Sequence, residues 1–182
     1  MRQTQRSGWK LRVLRAGVLA TLAAGAAAQA AQPAKVVLRG YLDGAAGTAL
    51  MSGNYTAVIL QLSHHGSLYL SDALAASTNL CVAYTMTHQF AAAAPECDAA
   101  VDLARHDGVG PTLAARASYE EHLALAYSNR AVLHAMMAQP QRAADDIARA
   151  HALAPSADFV SQNLTAIAPS AAALPKVVST RG

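Results

Sequence analysis

Breaker-free runs rich in apolar and alanine positions fill most of residues 71–154, and turn signals interrupt them only at wide intervals. "ALAASTNLCVAYTMT" continues as one helix from a start that Ser71 or Asp72 can cap. "HQ" makes a bend, and "FAAAAPECDAAVDLARH" reads as the return helix. Pro95 complicates that helix, because an interior proline lacks an N–H and crowds the carbonyl four residues back, at about 3 kcal/mol. Its position predicts either a regular helix starting near Ala94, with Pro95 in the first turn, or a kink. "DGVGP" closes the hairpin at residues 107–111, and Pro111 suits the first position of the next helix. From Thr112 to Ala138 no breaker occurs, which predicts a helix of about 27 residues, roughly 40 Å long. "QPQ" then turns the chain, with Pro140 opening a helix that ends near Leu153, before Ala154-Pro155. Ser156 is positioned to cap a last helix, "ADFVSQNLTAI".

The signal weakens toward both ends. Gly53-Asn54 is a turn signal between a short apolar segment and "YTAVILQL", together a partial helical hairpin. A short run such as "AVILQL" is also compatible with a strand, since periodicity alone does not separate the two. Residues 31–43 form a short lead-in, read as extended, ahead of a helical domain over 44–168. "APSAAALPKVVSTRG" has two prolines and no periodicity, so residues 169–182 are expected to be a disordered tail.

Composition supports helices: alanine is abundant, aromatic residues make up 5% and charged residues 14% of the 182. The net charge of +3 is misleading, because Arg2, Arg6, Lys10, Arg12 and Arg15 precede an apolar run that ends in "AQA". That is the form of a secretory signal peptide over residues 1–30, with cleavage expected after Ala30. The apolar run is shorter than a membrane span needs, although retention as an anchor is the alternative. Arg15 has no adjacent arginine, which favours the general export route, and no lipobox cysteine follows. Removing five of the 14 basic residues and none of the 11 acidic ones leaves a net charge of −2, which argues against nucleic acid as a partner. The expected location is the periplasm, with secretion as the alternative and no membrane contact after cleavage. An even cysteine count in an exported chain predicts a disulfide between Cys81 and Cys97.

A repeat underlies the helical part. At an offset of 50, Asn79 aligns with Asn129, Cys81 with Ala131, Met86 with Met136, Gln89 with Gln139 and Cys97 with Ile147. Ala93 and Ala100 likewise align with Ala143 and Ala150. Small residues at those positions suit the crossing of two antiparallel helices. The spacing of Tyr127, Arg130-Ala131, His134, Ala143, Ile147, Ala150 and Pro155 resembles the tetratricopeptide repeat (TPR). The resemblance implies an all-α fold of antiparallel helical hairpins, with repeats over about 74–107 and 124–157. A degenerate half-repeat precedes them and a capping helix follows; another small helical bundle is the alternative. Arg130 stands where the family has leucine and His134 where it has tyrosine, while Ser77 and Arg105 replace the first unit's aromatic and proline. The 16 residues at 108–123 separate the units, and the overlong helix would absorb them. On this template Cys81 and Cys97 face each other across the first hairpin.

Candidate chemistry is sparse. The seven histidines show no i, i+4 pair and no H-E-x-x-H, so no metal site or cofactor is expected. Glu120-Glu121 and Asp145-Asp146 are adjacent and diverge on a helix, while Asp98 and Asp102 lie one turn apart without a base or nucleophile assigned beside them. With no phosphate loop and no nucleophile elbow, the chain is not expected to be an enzyme. An enzymatic reading would need a pocket gathering His134, Asp98 or Asp102 with a bound ion. In tetratricopeptide proteins the first helix of each hairpin lines a concave groove for an extended peptide or a partner helix. Carried onto this chain, that groove presents Thr78, Asn79, Val82 and Met86, then Ser128, Asn129, Val132 and Met136. The asparagines could bond a partner's backbone while Val and Met supply adaptable apolar contact. None of the eight is Lys or Arg, so a clamp for a C-terminal carboxylate is not supported. The implied function is non-catalytic protein or peptide binding. The alternative is a structural accessory subunit with no separate ligand, these residues serving only inter-helix packing, under the cover of the long 112–138 helix.

Overall fold

A computed structural model describes residues 35–44, 46–63, 70–106 and 112–172. The expected signal peptide with its cleavage point, residues 64–69, the 107–111 turn and residues 173–182 lie outside them. The described residues hold seven helices and no strand: α1 (Gly47–Met51), α2 (Tyr55–Ser63), α3 (Leu70–Met86), α4 (Phe90–His106), α5 (Leu113–Met136), α6 (Pro140–Leu153) and α7 (Asp158–Ala172). "AVILQL" is therefore helical, and Gly53, at φ 70°, supplies the left-handed turn between α1 and α2. None of the described helices is long and apolar enough to cross a membrane.

Several element boundaries differ from the sequence expectation: α3 starts at Leu70 and so includes Ser71 and Asp72, and α5 ends at Met136, at 24 residues rather than about 27. α4 starts at Phe90 rather than near Ala94, and Pro95 sits inside it. The carbonyl that Pro95 leaves unbonded belongs to Ala91, which is exposed, so water can serve it. Thr112 rather than Pro111 sets the start of α5: its side chain caps the helix by accepting from Ala115 N at 3.1 Å. α7 begins at Asp158, two residues past Ser156, and continues to Ala172, beyond the expected domain end at residue 168.

The three-residue connections 87–89 and 137–139 fold α3 back on α4 and α5 back on α6. Each connection carries a left-handed residue, His88 at φ 59° and Ala138 at φ 55°. In each, the glutamine after it donates its N–H to the carbonyl five residues back, Gln89 to Tyr84 at 2.9 Å and Gln139 to His134 at 2.8 Å. This is the Schellman closure, and it satisfies carbonyls that the helix end leaves orphaned. The 50-residue offset in sequence is thus repeated in turn geometry.

α5 packs against α3, α4, α6 and α7, and so occupies the centre. The largest apolar cluster is built there, from Ala131, Val132, Ala143, Ile147, Ala150, Phe159 and Val160. A second cluster joins Leu50, Val58 and Leu62 to Leu80, Val82 and Ala83 of α3. A small third one surrounds Cys81 and Cys97. These cysteines form a disulfide between α3 and α4 with Cα atoms 4.8 Å apart. Alanine at the crossings (Ala93, Ala143, Ala150, all fully buried) lets the helix backbones approach.

Candidate binding face

Three asparagines on α3, α5 and α7 converge on one segment of chain. Asn79, Asn129 and Asn163 are 0–1% exposed, and such buried amides need partners. Each finds them on the backbone of residues 36–41. Asn163 accepts from Val37 N at 2.7 Å and donates to Val37 O at 2.7 Å. Asn129 accepts from Arg39 N at 3.1 Å and donates to Arg39 O at 2.6 Å. Asn79 accepts from Tyr41 N at 2.8 Å and donates to Tyr41 O at 2.9 Å. A carboxamide offers a donor and an acceptor side by side, which is what one residue's N–H and C=O require. Bonds to every second residue mean an extended strand, whose sides alternate with period two. The strap formed by residues 36–41 runs from α7 to α3, against the chain order of the helices.

Side chains of the strap add to this hold. Leu38 packs against both larger clusters, and Val37 and Tyr41 against the central one. The Arg39 guanidinium lies 5.4 Å from the Phe159 ring centre, and the Tyr41 ring meets His122 edge-on at 5.4 Å. Gly40 is required where the strap crosses α3: a Cβ there would fall 2.3 Å from Asn79 Oδ1 and 2.4 Å from Leu50 Cδ2. Six bonds at about 1 kcal/mol each contribute about 6 kcal/mol. Fixing six residues of backbone costs at least as much, about 6–12 kcal/mol. Side-chain burial therefore decides whether the strap stays.

Of the eight residues read from the sequence as a groove, Thr78, Asn79, Val82, Ser128, Asn129 and Val132 are buried, Met136 is half-buried and Met86 is 41% exposed. The strap lies across this face and bonds to Asn79 and Asn129. Ser128 Oγ accepts from Asn163 Nδ2 at 2.8 Å and so steadies the third asparagine. The sequence predicts an extended lead-in over residues 31–43, but neither that segment's place on this face nor the part played by Asn163. A signal for the asparagine existed: it lies 34 residues after Asn129, the length of one repeat.

A second polar cluster lies between α4, α5 and α6. Asp146, 3% exposed, receives Arg130 Nε at 2.8 Å and Nη2 at 3.0 Å, and Arg149 Nη1 at 3.1 Å. Arg130 Nη1 also reaches Asp98 at 2.7 Å. Burial opposes the Arg130 charge, but the Asp146 and Asp98 carboxylates outweigh it and hold its pKa above the usual arginine range. His134 lies 3.0 Å from Gln139 Oε1 and 3.7 Å from Asp146 Oδ2, and burial keeps its pKa below the ordinary histidine value despite the carboxylate. Arg105, Arg130 and Arg149 surround the Tyr127 ring at 5.5–5.7 Å, and Arg105 donates to its hydroxyl. Arg130, Asp146 and Arg149 line a cavity of about 270 Å³ that also gathers His134 and Asp98, while Asp102 pairs with Arg105 at 3.2 Å. The carboxylates are committed to guanidinium groups, so the arrangement clamps three helices together. Among the described residues no cluster of His, Cys, Asp or Glu could hold a metal ion.

No family model matches the chain, and comparisons with curated proteins and with solved structures gave no match.

Proposed function

We propose that this chain is a non-catalytic protein–protein interaction module, an exported scaffold of tetratricopeptide type in the periplasm, whose concave face holds an extended polypeptide. One observation carries the reading: Asn79, Asn129 and Asn163 each bond both backbone groups of alternate residues in one strand. Such a row recognises extended backbone whatever its side chains, and it is filled here by the chain's own residues 36–41. The hairpin pairs α3–α4 and α5–α6, with their shared turns, and the 34-residue step to Asn163 support the repeat-type description. The Cys81–Cys97 disulfide is compatible with export.

A second reading, a structural accessory subunit with no separate ligand, draws on the same strap. A groove filled by a covalently attached segment needs no other occupant. Gly40→Val separates the two, because a branched side chain has no room against Asn79 and Leu50. Fluorescence anisotropy with a labelled peptide copying residues 35–42 is the measurement. The tethered strap competes at an effective concentration in the millimolar range. The variant, if its helical circular dichroism is retained, is expected to bind the peptide at least tenfold more tightly than the original chain. A folded variant that binds no peptide would leave the subunit reading standing.

A further inference from the structure

The strap uses one of its two edges. In an extended strand, neighbouring residues direct their N–H and C=O groups to opposite sides. Val37, Arg39 and Tyr41 face the asparagines, so Val36, Leu38 and Gly40 face away. The backbone groups of these three residues make no hydrogen bond among the described residues. An unpaired edge of this kind is a template for another strand.

Two recesses border the same residues. One, about 320 Å³, is lined by Val36 together with Ala135, Ala166 and Ile167. The other, about 450 Å³, touches Leu38, Gly40 and Leu42 and is walled by Leu50, Tyr55 and Val82. Val82 and Ala166 each stand three residues, about one turn, beyond a bonded asparagine. One helical turn rises 5.4 Å, close to the 4.7–4.9 Å between paired strands, so the next turn offers a track beside the strap. Met86 and Met136, a further turn along, give that track an adaptable apolar margin. Lys35 and Arg39 are exposed on the strap, which favours acidic over basic flanks in whatever lies beside it.

Resting on the groove reading above, we propose that a partner polypeptide adds a β-strand to the free edge of residues 36–40 and leaves the strap in place. The added strand carries apolar side chains at alternate positions, which enter the two recesses, and acidic rather than basic flanking residues. Main-chain bonds to Val36, Leu38 and Gly40 supply the docking, and the recesses supply selectivity.

The probe is a synthetic peptide of alternating valine and threonine flanked by aspartates, titrated into the ¹⁵N-labelled full chain. Amide hydrogen exchange at Leu38 and Gly40 is expected to slow at least tenfold at saturation, while the side-chain amide signals of Asn79, Asn129 and Asn163 stay put. Leu38→Pro removes the free-edge N–H without touching a bond to asparagine, and Leu38→Ala controls for the lost side chain. The proline variant is expected to bind the peptide about tenfold more weakly than the alanine variant. Shifts at the three asparagines with loss of protection at Val37, Arg39 and Tyr41 would mean displacement; that overturns strand addition but spares the groove reading. Protection of Leu38 and Gly40 that rises with protein concentration alone, without peptide, would assign the edge to a second copy and overturn the partner proposed here. No change at any of these amides at millimolar peptide overturns strand addition, and the Gly40→Val experiment then decides the groove reading separately.

Discussion

The two hairpins close in the same way at their turns and in different ways along their length. Positions 81 and 97 of α3–α4 correspond to positions 131 and 147 of α5–α6. The first hairpin has a disulfide there, whereas the second has a fully buried alanine against a nearly fully buried isoleucine. One residue earlier, Leu80 and Glu96 correspond to Arg130 and Asp146, and only the second hairpin makes an ion pair of them. The surroundings account for the contrast. α5–α6 is flanked by α4 on one side and α7 on the other, so apolar burial is available to hold it. Among the described residues α3 has on its outer side the five-residue α1 and the nine-residue α2. The hairpin whose outer neighbours are short carries a covalent link at its crossing, and the one set between longer helices is held there by apolar burial. Both solutions fit one backbone, because both positions lie at the helix crossing.

Breaking the buried ion pair gives the largest expected effect. Asp146→Ala leaves Arg130 half-paired among α4, α5 and α6, and is expected to lower stability by about 3 kcal/mol in urea denaturation. Glu96→Ala, at the corresponding site, should change it by under about 1 kcal/mol, because Glu96 is only partly buried. Its carboxyl is pushed above the ordinary range by burial, with the Ser77 hydrogen bond opposing. Equal losses at the two sites would erase the difference between the hairpins.

Reduction of the Cys81–Cys97 bond, which links residues 16 apart, is expected to cost up to about 3 kcal/mol. Joint replacement by the second hairpin's residues, Cys81→Ala with Cys97→Ile, should recover roughly half of that and make unfolding insensitive to reductant. Loss of the full amount despite the isoleucine would show that burial is not available at the first hairpin. The smallest effect sits at the turns. Ala138→Gly relieves a left-handed alanine and should raise stability by up to about 1 kcal/mol in thermal unfolding. His88→Gly should gain less, since the imidazole packs edge-on against Phe90 at 5.6 Å. A larger gain at residue 88 would reverse that assignment.

Much of the helical framework was legible in the sequence, and the places where the reading slipped are instructive. Pro140 opening α6 and Leu153 ending it were readable because a helix terminus is set by nearby residues. Pro95 leaves two readings open in the sequence, a late helix start or an interior kink, because the penalty of an interior proline depends on whether its orphaned carbonyl reaches water, which only the packed structure decides. Asn79 and Asn129 stood out as a pair through the 50-residue offset. Asn163 did not, because that offset pairs it with Leu113 rather than with another asparagine.

The strap marks the boundary between the two kinds of information. Residues 35–41 read as extended, yet nothing local says what an extended segment will bond. Its backbone groups reach asparagines 126, 90 and 38 residues away. By itself the sequence determined the helices, their turns and the cysteine pair, because caps, breakers and i, i+4 bonding act within a few residues. Only the tertiary structure decided what lies across the asparagine-bearing face, because that face exists only once three distant helices stand side by side.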